Sequence, residues 1–487
     1  MKKFGLVFLL LIYAFVYSQS LHIAHWNDFH SANIPYIMSY NGCKKLVGGY
    51  AYLAGIVDSL RGIYHDLIVL DAGDEFLGSP ISSIIKGYSQ FIILNMLLPT
   101  AFCIGNHEFD YGVSNLVENI KKAKFDIITS NIKYKGKYLG LPLKRMVIDG
   151  VKVCIIGIIY DNLESSTLPE NIRGVEILNP TKVVKSIVDS LKEDVDIFIL
   201  LSHWGVDNDK NIANEIGDLD IIIGGHSHTV LNTPITIGNT IICQAGSKGS
   251  FVGFLEADVD TIKNVIKKFT YELIDVYPEE IKPNELVKNI VDSLENTVSQ
   301  EMNKVIGILK TPWERRFNGE SNIGNWITDV MRKKFKTDIA LQNSGGIRKN
   351  MPAGEIRVRD IWEIVPFENE VVIIKVTGKQ LLNIFMHYPE NKMDLLQISG
   401  AKLKINMNTG RLYYVRVNGK KIRRKRNYTI ATNSYVASHA ERFLGIMAED
   451  LHVIRTGVLL RDLLIEEIKK EKEVYSYVNG RIIIVER

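Results

Sequence analysis

Five times in the first half of this 487-residue chain, a short apolar run ends in a cluster of metal-ligating side chains. No other feature restricts the fold as much. The clusters are Asn27-Asp28-Phe29-His30, Asp71-Ala72-Gly73-Asp74, Gly105-Asn106-His107-Glu108, Ser202-His203-Trp204-Gly205 and Gly224-Gly225-His226-Ser227-His228. The runs before them, 21–26, 67–70, 101–104, 197–201 and 221–223, are rich in Ile, Leu and Val and read as buried strands. Helical periodicity over 48–60, 115–123 and 181–192 lies between them. Strands alternating with helices imply largely parallel sheets, in which ligands gather at the carboxyl ends of the strands. The five clusters are therefore expected to face one crevice.

Their side chains are carboxylates, imidazoles and one amide oxygen, a ligand set for two divalent metals roughly 3.5–4 Å apart, which serve phosphate-ester hydrolysis. A carboxylate offers two oxygens and is suited to touch both ions. Asp74 is the best candidate for that bridge. Asp28, His30 and one of His226 and His228 would complete one site; Asn106, His203 and the other histidine would complete the second. Imidazole with carboxylate suits zinc, manganese or iron alike. His107 has a different expected role. Asp110 lies three residues on and can orient the imidazole to stabilise developing charge or to protonate a leaving oxygen. Glu108 reads as structural.

These motifs resemble the calcineurin-like metallophosphoesterase superfamily and, within it, the 5'-nucleotidase family. The resemblance implies Asp28, His30, Asp74 and His228 on one metal; Asp74, Asn106, His203 and His226 on the other; and His107 with Asp110 as the catalytic dyad. It implies an α/β fold: an N-terminal four-layer sandwich, two mixed sheets flanked by helices, joined by a linker helix to a C-terminal α/β substrate domain.

The second half carries its own signal. Glu320-Ser321-Asn322-Ile323-Gly324-Asn325 opens a helix, Asn343-Ser344-Gly345-Gly346-Ile347-Arg348 follows a short strand, and Phe367 comes nineteen residues after Arg348 in Val365-Pro366-Phe367-Glu368-Asn369. An Arg fork matches phosphate oxygens, and an aromatic face stacks on a nucleobase for about 1–3 kcal/mol. The resemblance implies substrate binding by Asn343, Arg348, Phe367 and Asn369, with Arg316 as the counterpart of a further family arginine. One segment departs from the family. Where an aromatic, two glycines and an Asp are usual, this chain has Tyr435, His439-Ala440 and Glu441, so the loop must change while Tyr435 and Glu441 stand in the binding positions.

Length suits two domains. The expected division is a secretory leader over 1–18, a metal-binding domain over 19–280, a linker helix over 281–303 and a substrate domain over 304–487. Lys2 and Lys3 ahead of apolar 4–16 make the leader, too short to span a bilayer, so the expectation is a periplasmic or secreted protein. The net charge of +4 points to no nucleic-acid polymer as partner, and the basic run Lys420–Arg426 reads as a solvated turn. Cys103, Cys154 and Cys243 read as buried thiols and Cys43 as a loop residue; oligomeric state is left open. The expected activity is dimetal hydrolysis of nucleoside 5'-monophosphates, gated by hinge motion between the domains. The alternatives are nucleotide-sugar or dinucleotide diphosphatase, 2',3'-cyclic-nucleotide phosphodiesterase, sulfur-ester hydrolase, or a non-catalytic extracellular binding protein.

Overall fold

Two six-stranded sheets dominate the N-terminal domain. The computed structural model describes residues 19–40, 43–392 and 394–485, so the expected leader lies outside the described residues. In the first sheet the strands run in the order Val265–Asp275, Phe251–Asp260, Gln19–Trp26, Ile68–Asp71, Ala101–Cys103, Ile127–Ile128. In the second the order is Ile235–Ile237, Thr240–Cys243, Ile221–Gly224, Ile197–His203, Val151–Ile159, Lys144–Ile148. The cluster-bearing strands pair in parallel with one another within each sheet, as the alternation of strand and helix requires. Antiparallel strands Phe251–Asp260 and Val265–Asp275 close one edge of the first sheet, whose other edge, Ile127–Ile128, is parallel; antiparallel hairpins close both edges of the second, so both sheets are mixed.

The period-2 geometry of strands explains the layers. Leu21, Ile23, Ile68 and Leu70 of one sheet meet Ile197, Ile199, Ile221 and Ile223 of the other in a core between the sheets. The alternate residues Ala24 and Val69 pack outward against helix Tyr50–Ile63, and Phe198, Leu200 and Ile222 pack against Val184 and Val188 of helix Pro180–Leu191. Each such aliphatic side chain, fully buried, contributes about 1.5–3 kcal/mol. The result is helix, sheet, sheet, helix.

Helix Glu285–Met302 follows, capped by Asn284, whose Oδ1 accepts from Val287 N at 2.8 Å. Its Val287 and Val291 sit in the N-terminal core, while Glu295 pairs with Arg359 of the C-terminal half at 2.8 Å. The C-terminal domain is built on a five-stranded sheet ordered Leu396–Ser399, Ile339–Asn343, Asn427–Asn433, Glu370–Thr377, His452–Leu459. Helices Asn322–Phe335 and Leu460–Glu471 cover one face and helix Gly378–His387 the other.

The Glu320–Asn325 motif is structural here. Ser321 Oγ caps the helix by accepting from Gly324 N at 3.1 Å, and buried Glu320 accepts from Asn325 Nδ2, Asn479 N and Arg481 N at 2.7–2.9 Å. Cys103, Cys154 and Cys243 are buried free thiols. Cys43, read as a loop residue, instead begins strand Cys43–Val47, which pairs antiparallel with Tyr36–Tyr40; the Asn41-Gly42 pair between them in the sequence is the hairpin signal. The basic run is exposed between two strands, with Arg426 paired to Asp338 at 2.6 Å. Among the described residues no helix is long and apolar enough to cross a membrane.

Candidate metal centre and substrate cleft

The ligand loops depart from ordinary backbone geometry. At Asp28, His30, Asp74, His226 and His228, φ is 50°, 50°, 60°, 71° and 53°, a left-handed conformation costing a non-glycine residue about 1–2 kcal/mol. Such strain persists where the surroundings enforce it, as at functional sites. Backbone bonds supply that enforcement: Asp28 N to Gly73 O at 2.8 Å and His30 N to Asp74 O at 2.9 Å. Gly105 is obligatory, since a Cβ there would stand 2.3 Å from Asp74 Oδ1.

All seven predicted ligands converge. Asp28, His30 and His228 offer ligand atoms within 4.8 Å of one another; so do Asp74, His203 and His226; so do His30, Asp74 and His107, so that Asp74 and His30 each belong to two of the groups. His30 Nε2 faces His228 Nε2 at 3.0 Å, and Asn106 Oδ1 lies 3.0 Å from His226 Nδ1.

His203 tests whether a cation belongs here. Its Nδ1 faces the Ala72 carbonyl at 2.7 Å, so Nδ1 carries the proton and the Nε2 lone pair points at Asp74 Oδ2, 3.2 Å away. That buried Nε2 has no hydrogen-bond partner. Two acceptors facing each other in a dry site call for a positive charge between them. Without a metal that charge is a proton: burial opposes it, but the Asp74 carboxylate pushes His203 up to about 10. The donor set therefore fits divalent metal.

The residues beneath hold the ligands in place. Asn27 Nδ2 donates to Asp28 Oδ2 at 2.6 Å, and His226 N donates to the same oxygen at 2.9 Å. Fully buried Glu108 accepts from four backbone amides: Asp74 and Gly105 on Oε2 at 3.0 and 2.7 Å, Glu75 and Phe76 on Oε1 at 2.8 and 3.1 Å. It ties the Asp74 loop to the Asn106 loop.

His107 opens a 3-10 turn, which puts Asp110 on its own side; Nδ1 meets Asp110 Oδ2 at 2.6 Å. Burial disfavours the charged ring, but the Asp110 and Asp74 carboxylates outweigh it and raise the His107 pKa. Its Nε2 is left facing the cluster, 4.0 Å from Asp74 Oδ2.

A cavity of about 590 Å³ begins at Asp74, Asn106, His107, His226 and His228 and runs between the domains. The C-terminal domain contributes Asn343, Arg348, Phe367, Asn369 and Tyr435 to its walls, all expected from sequence. The Arg348 guanidinium lies 5.9 Å from the Phe367 ring centre, and His107 lies 6.0 Å from the same ring on the other side of the cleft.

Two expectations fail on position. Glu441 is exposed and outside the cavity, because helix Ala440–Leu444 turns it to solvent and presents Arg442 instead. Arg316 lines a different, neighbouring cavity, since the segment before Glu320 runs past the cleft rather than into it. Sequence reading missed Asp394, which lines the cavity and accepts from Gly345 N at 2.6 Å. A single acid ahead of a strand gives no sequence signal.

The altered loop spans the cleft. Tyr435 Oη donates to the Ser165 carbonyl at 2.8 Å, Arg442 Nη1 donates to the same oxygen at 2.9 Å, and His439 Nε2 faces the Glu164 carbonyl at 2.7 Å. The imidazole thus occupies space that a glycine would leave open.

Comparisons agree with this geometry. The calcineurin-like phosphoesterase family matches residues 21–230 and the 5'-nucleotidase C-terminal domain matches residues 304–448. An apyrase of Tabanus yao is 30% identical over 535 residues, with 96% of this chain and 94% of that protein covered. A 5'-nucleotidase of Mus musculus is 27% identical over 521 residues, covering 95% of this chain and 90% of its own. The crystal structure of a 5'-nucleotidase precursor from Thermus thermophilus superposes with a TM-score of 0.88 at 27% identity, over 96% of this chain and 100% of that one. A sulfate thiohydrolase from the same genus shares the fold, with a TM-score of 0.83 at 14% identity.

Proposed function

Because the chain belongs to the 5'-nucleotidase family of calcineurin-like phosphoesterases, and is thus a metal-dependent phosphoester hydrolase, we propose that it hydrolyses nucleoside 5'-monophosphates to nucleoside and phosphate. One observation carries the reading: a single cavity is lined by the metal-ligand cluster at one end and by Arg348, Phe367, Asn369 and Tyr435 further along. Phosphate chemistry and a platform for a base share one space.

Two divalent ions would be held by Asp28, His30, Asp74 and His228 and by Asp74, Asn106, His203 and His226; when bound, they supply the charge that polarises the phosphate and makes water nucleophilic near neutral pH. Arg348 binds phosphate oxygens through its planar fork. Phe367 stacks on the base and Asn369 hydrogen-bonds it. His107, kept protonated by Asp110, offers Nε2–H to the phosphate as negative charge builds, or to the leaving ribose oxygen. The bonds from Tyr435 and Arg442 to Ser165 hold the domains together around the substrate, and opening them releases the nucleoside. Export, read from the leader, belongs to the same proposal.

A panel of phosphate esters, run with manganese, cobalt or zinc added to metal-stripped protein, tests it. Nucleoside 5'-monophosphates are expected to lead the panel, and Asp74→Ala to abolish turnover while the protein stays folded. Preference for a non-nucleotide ester overturns the assignment.

A further inference from the structure

From Leu395 to Ala440 the chain carries ten Lys and Arg and no Asp or Glu, a charge of +10 in a molecule whose total is +4, which leaves the rest at −6. Folding gathers these cations instead of dispersing them. Strands Leu412–Val417, Ala401–Asn406 and Ile482–Val485 form a three-stranded sheet. Strand alternation sends Leu403, Ile405, Val417 and Ile482 into the core and leaves Lys402, Lys404, Tyr414, Arg416 and Ile483 on the outer face. There Lys402 lies opposite Arg416, and Lys404 lies between Tyr414 and Ile483. Asn418 N donates to Gly400 O at 2.8 Å, so the exposed turn Lys420–Arg426 starts beside Lys402 and Arg416. Exposed Lys379 adjoins that turn, its N donating to Arg424 O at 3.0 Å. Among the described residues, Arg426 alone of the ten cations has an ion-pair partner, Asp338.

Such a concentration of like charge is relieved by an anionic partner. The cations cover an area, two strands and a turn, rather than a line, and neither the catalytic cleft nor the neighbouring cavity includes any of them. A groove for a single polyanionic strand is therefore not what they form. Apolar and aromatic groups lie among them: Tyr413, Tyr414 and Ile483 are 43%, 39% and 37% exposed. A strand binder needs aromatic faces free to stack on bases. The Tyr413 ring instead has the Arg411 guanidinium 5.1 Å and Lys404 Nζ 5.7 Å from its centre. Tyrosines and an aliphatic side chain set among cations suit the headgroup level of a bilayer.

We propose that this face docks the protein on a bilayer rich in anionic phospholipid, headgroup phosphates meeting the cations while Tyr413, Tyr414 and Ile483 reach headgroup depth. Strand Asn427–Asn433 relates this face to the cleft. It starts at the basic turn and ends at Asn433, whose Nδ2 donates to Asn343 Oδ1 of the cleft wall at 2.9 Å. Its length of roughly 20 Å separates the two, so the docked enzyme keeps its cleft away from the lipid and open to dissolved substrate.

Co-sedimentation of the full chain with vesicles tests this, in about 0.1 M salt, with equal parts phosphatidylglycerol and phosphatidylcholine or with phosphatidylcholine alone. The wild type is expected to pellet with the anionic vesicles only and to be released by about 0.5 M salt, where screening is short-ranged. Each Lys or Arg at an anionic surface favours binding about fivefold, so Lys420→Ala/Lys421→Ala/Arg423→Ala/Arg424→Ala should lower the partition coefficient about 10²–10³-fold. These side chains are exposed, and thermal melting checks the fold. A variant with the same loss of charge elsewhere, Lys137→Ala/Lys152→Ala/Lys182→Ala/Lys263→Ala, should stay within about threefold of wild type. Three results each overturn the proposal: no wild-type binding to anionic vesicles, equal loss in both variants, and release of bound protein by single-stranded or duplex DNA at equal phosphate concentration, which assigns the face to nucleic acid.

Discussion

Replacing Glu108 by Gln gives a sharp test of how the metal site is built. Each carboxylate oxygen accepts two backbone amides, one pair spanning Asp74 and Gly105, the other Glu75 and Phe76. An amide keeps the volume and one acceptor oxygen, but in either orientation its NH₂ group meets two donors. Two hydrogen bonds to a charged group are then lost, worth about 1.5–3 kcal/mol each, so the cost is about 3–6 kcal/mol. Water does not rescue it, because the side chain is wholly buried. The loosened Asp74 and Asn106 loops should also bind metal about 10–100-fold more weakly, the usual effect of removing a group that orients ligands. Urea unfolding in the presence of a chelator measures the first quantity; manganese titration of the folded apoprotein measures the second. A destabilisation below about 1 kcal/mol, with metal affinity unchanged, refutes the argument that Glu108 ties the loops together.

Other expectations follow from the same geometry. His107→Ala and Asp110→Asn should each lower kcat by about 10²–10⁴ with little change in KM, the range of a lost general acid; steady-state kinetics on AMP decides it. Phe367→Ala should raise KM for AMP about tenfold, from the loss of about 1–3 kcal/mol of stacking, while ribose 5-phosphate, which has no base, is hydrolysed as before. His25 makes stability depend on pH. It is buried with Nδ1 unpartnered, and burial pushes it down to about 3 from 6.5. The folded ring refuses a proton that the unfolded chain accepts, so stability is full above pH 6.5 and falls by about 1.4 kcal/mol per unit from there towards pH 3. His25→Gln should flatten that part of the curve relative to wild type in paired urea titrations; parallel curves would refute the assignment.

Legibility divides along a physical line. The convergence of the candidate metal ligands was readable because each lies at or just after the end of a buried strand, and a parallel sheet sends every strand's end to the same edge. Local sequence then determines three-dimensional convergence, and Asp28, Asp74, Asn106, His203, His226 and His228 fall together without knowledge of the loops between. Asn343 was readable for the same reason, at the end of strand Ile339–Asn343. The failures lie where position depends on a turn rather than on a strand. Glu441 and Arg442 are neighbours in sequence, yet a five-residue helix separates their directions by about 100°, and the residue type alone favoured the acid. Asp394 reaches the cleft through strand order, since Leu396–Ser399 lies beside Ile339–Asn343, a pairing of segments more than fifty residues apart. Glu108 reads as structural from the sequence, but which loops it ties together is not legible there, because its partners are backbone amides and these have no side-chain signature. The departure at His439-Ala440 was legible as a departure, and the bonds to Glu164 and Ser165 now give it content. Where flexible glycines would let the loop swing freely, this chain has an imidazole, a phenol and a guanidinium set against the opposite domain, so any opening of the cleft would break the Tyr435 and Arg442 hydrogen bonds to Ser165 and the His439 contact with Glu164.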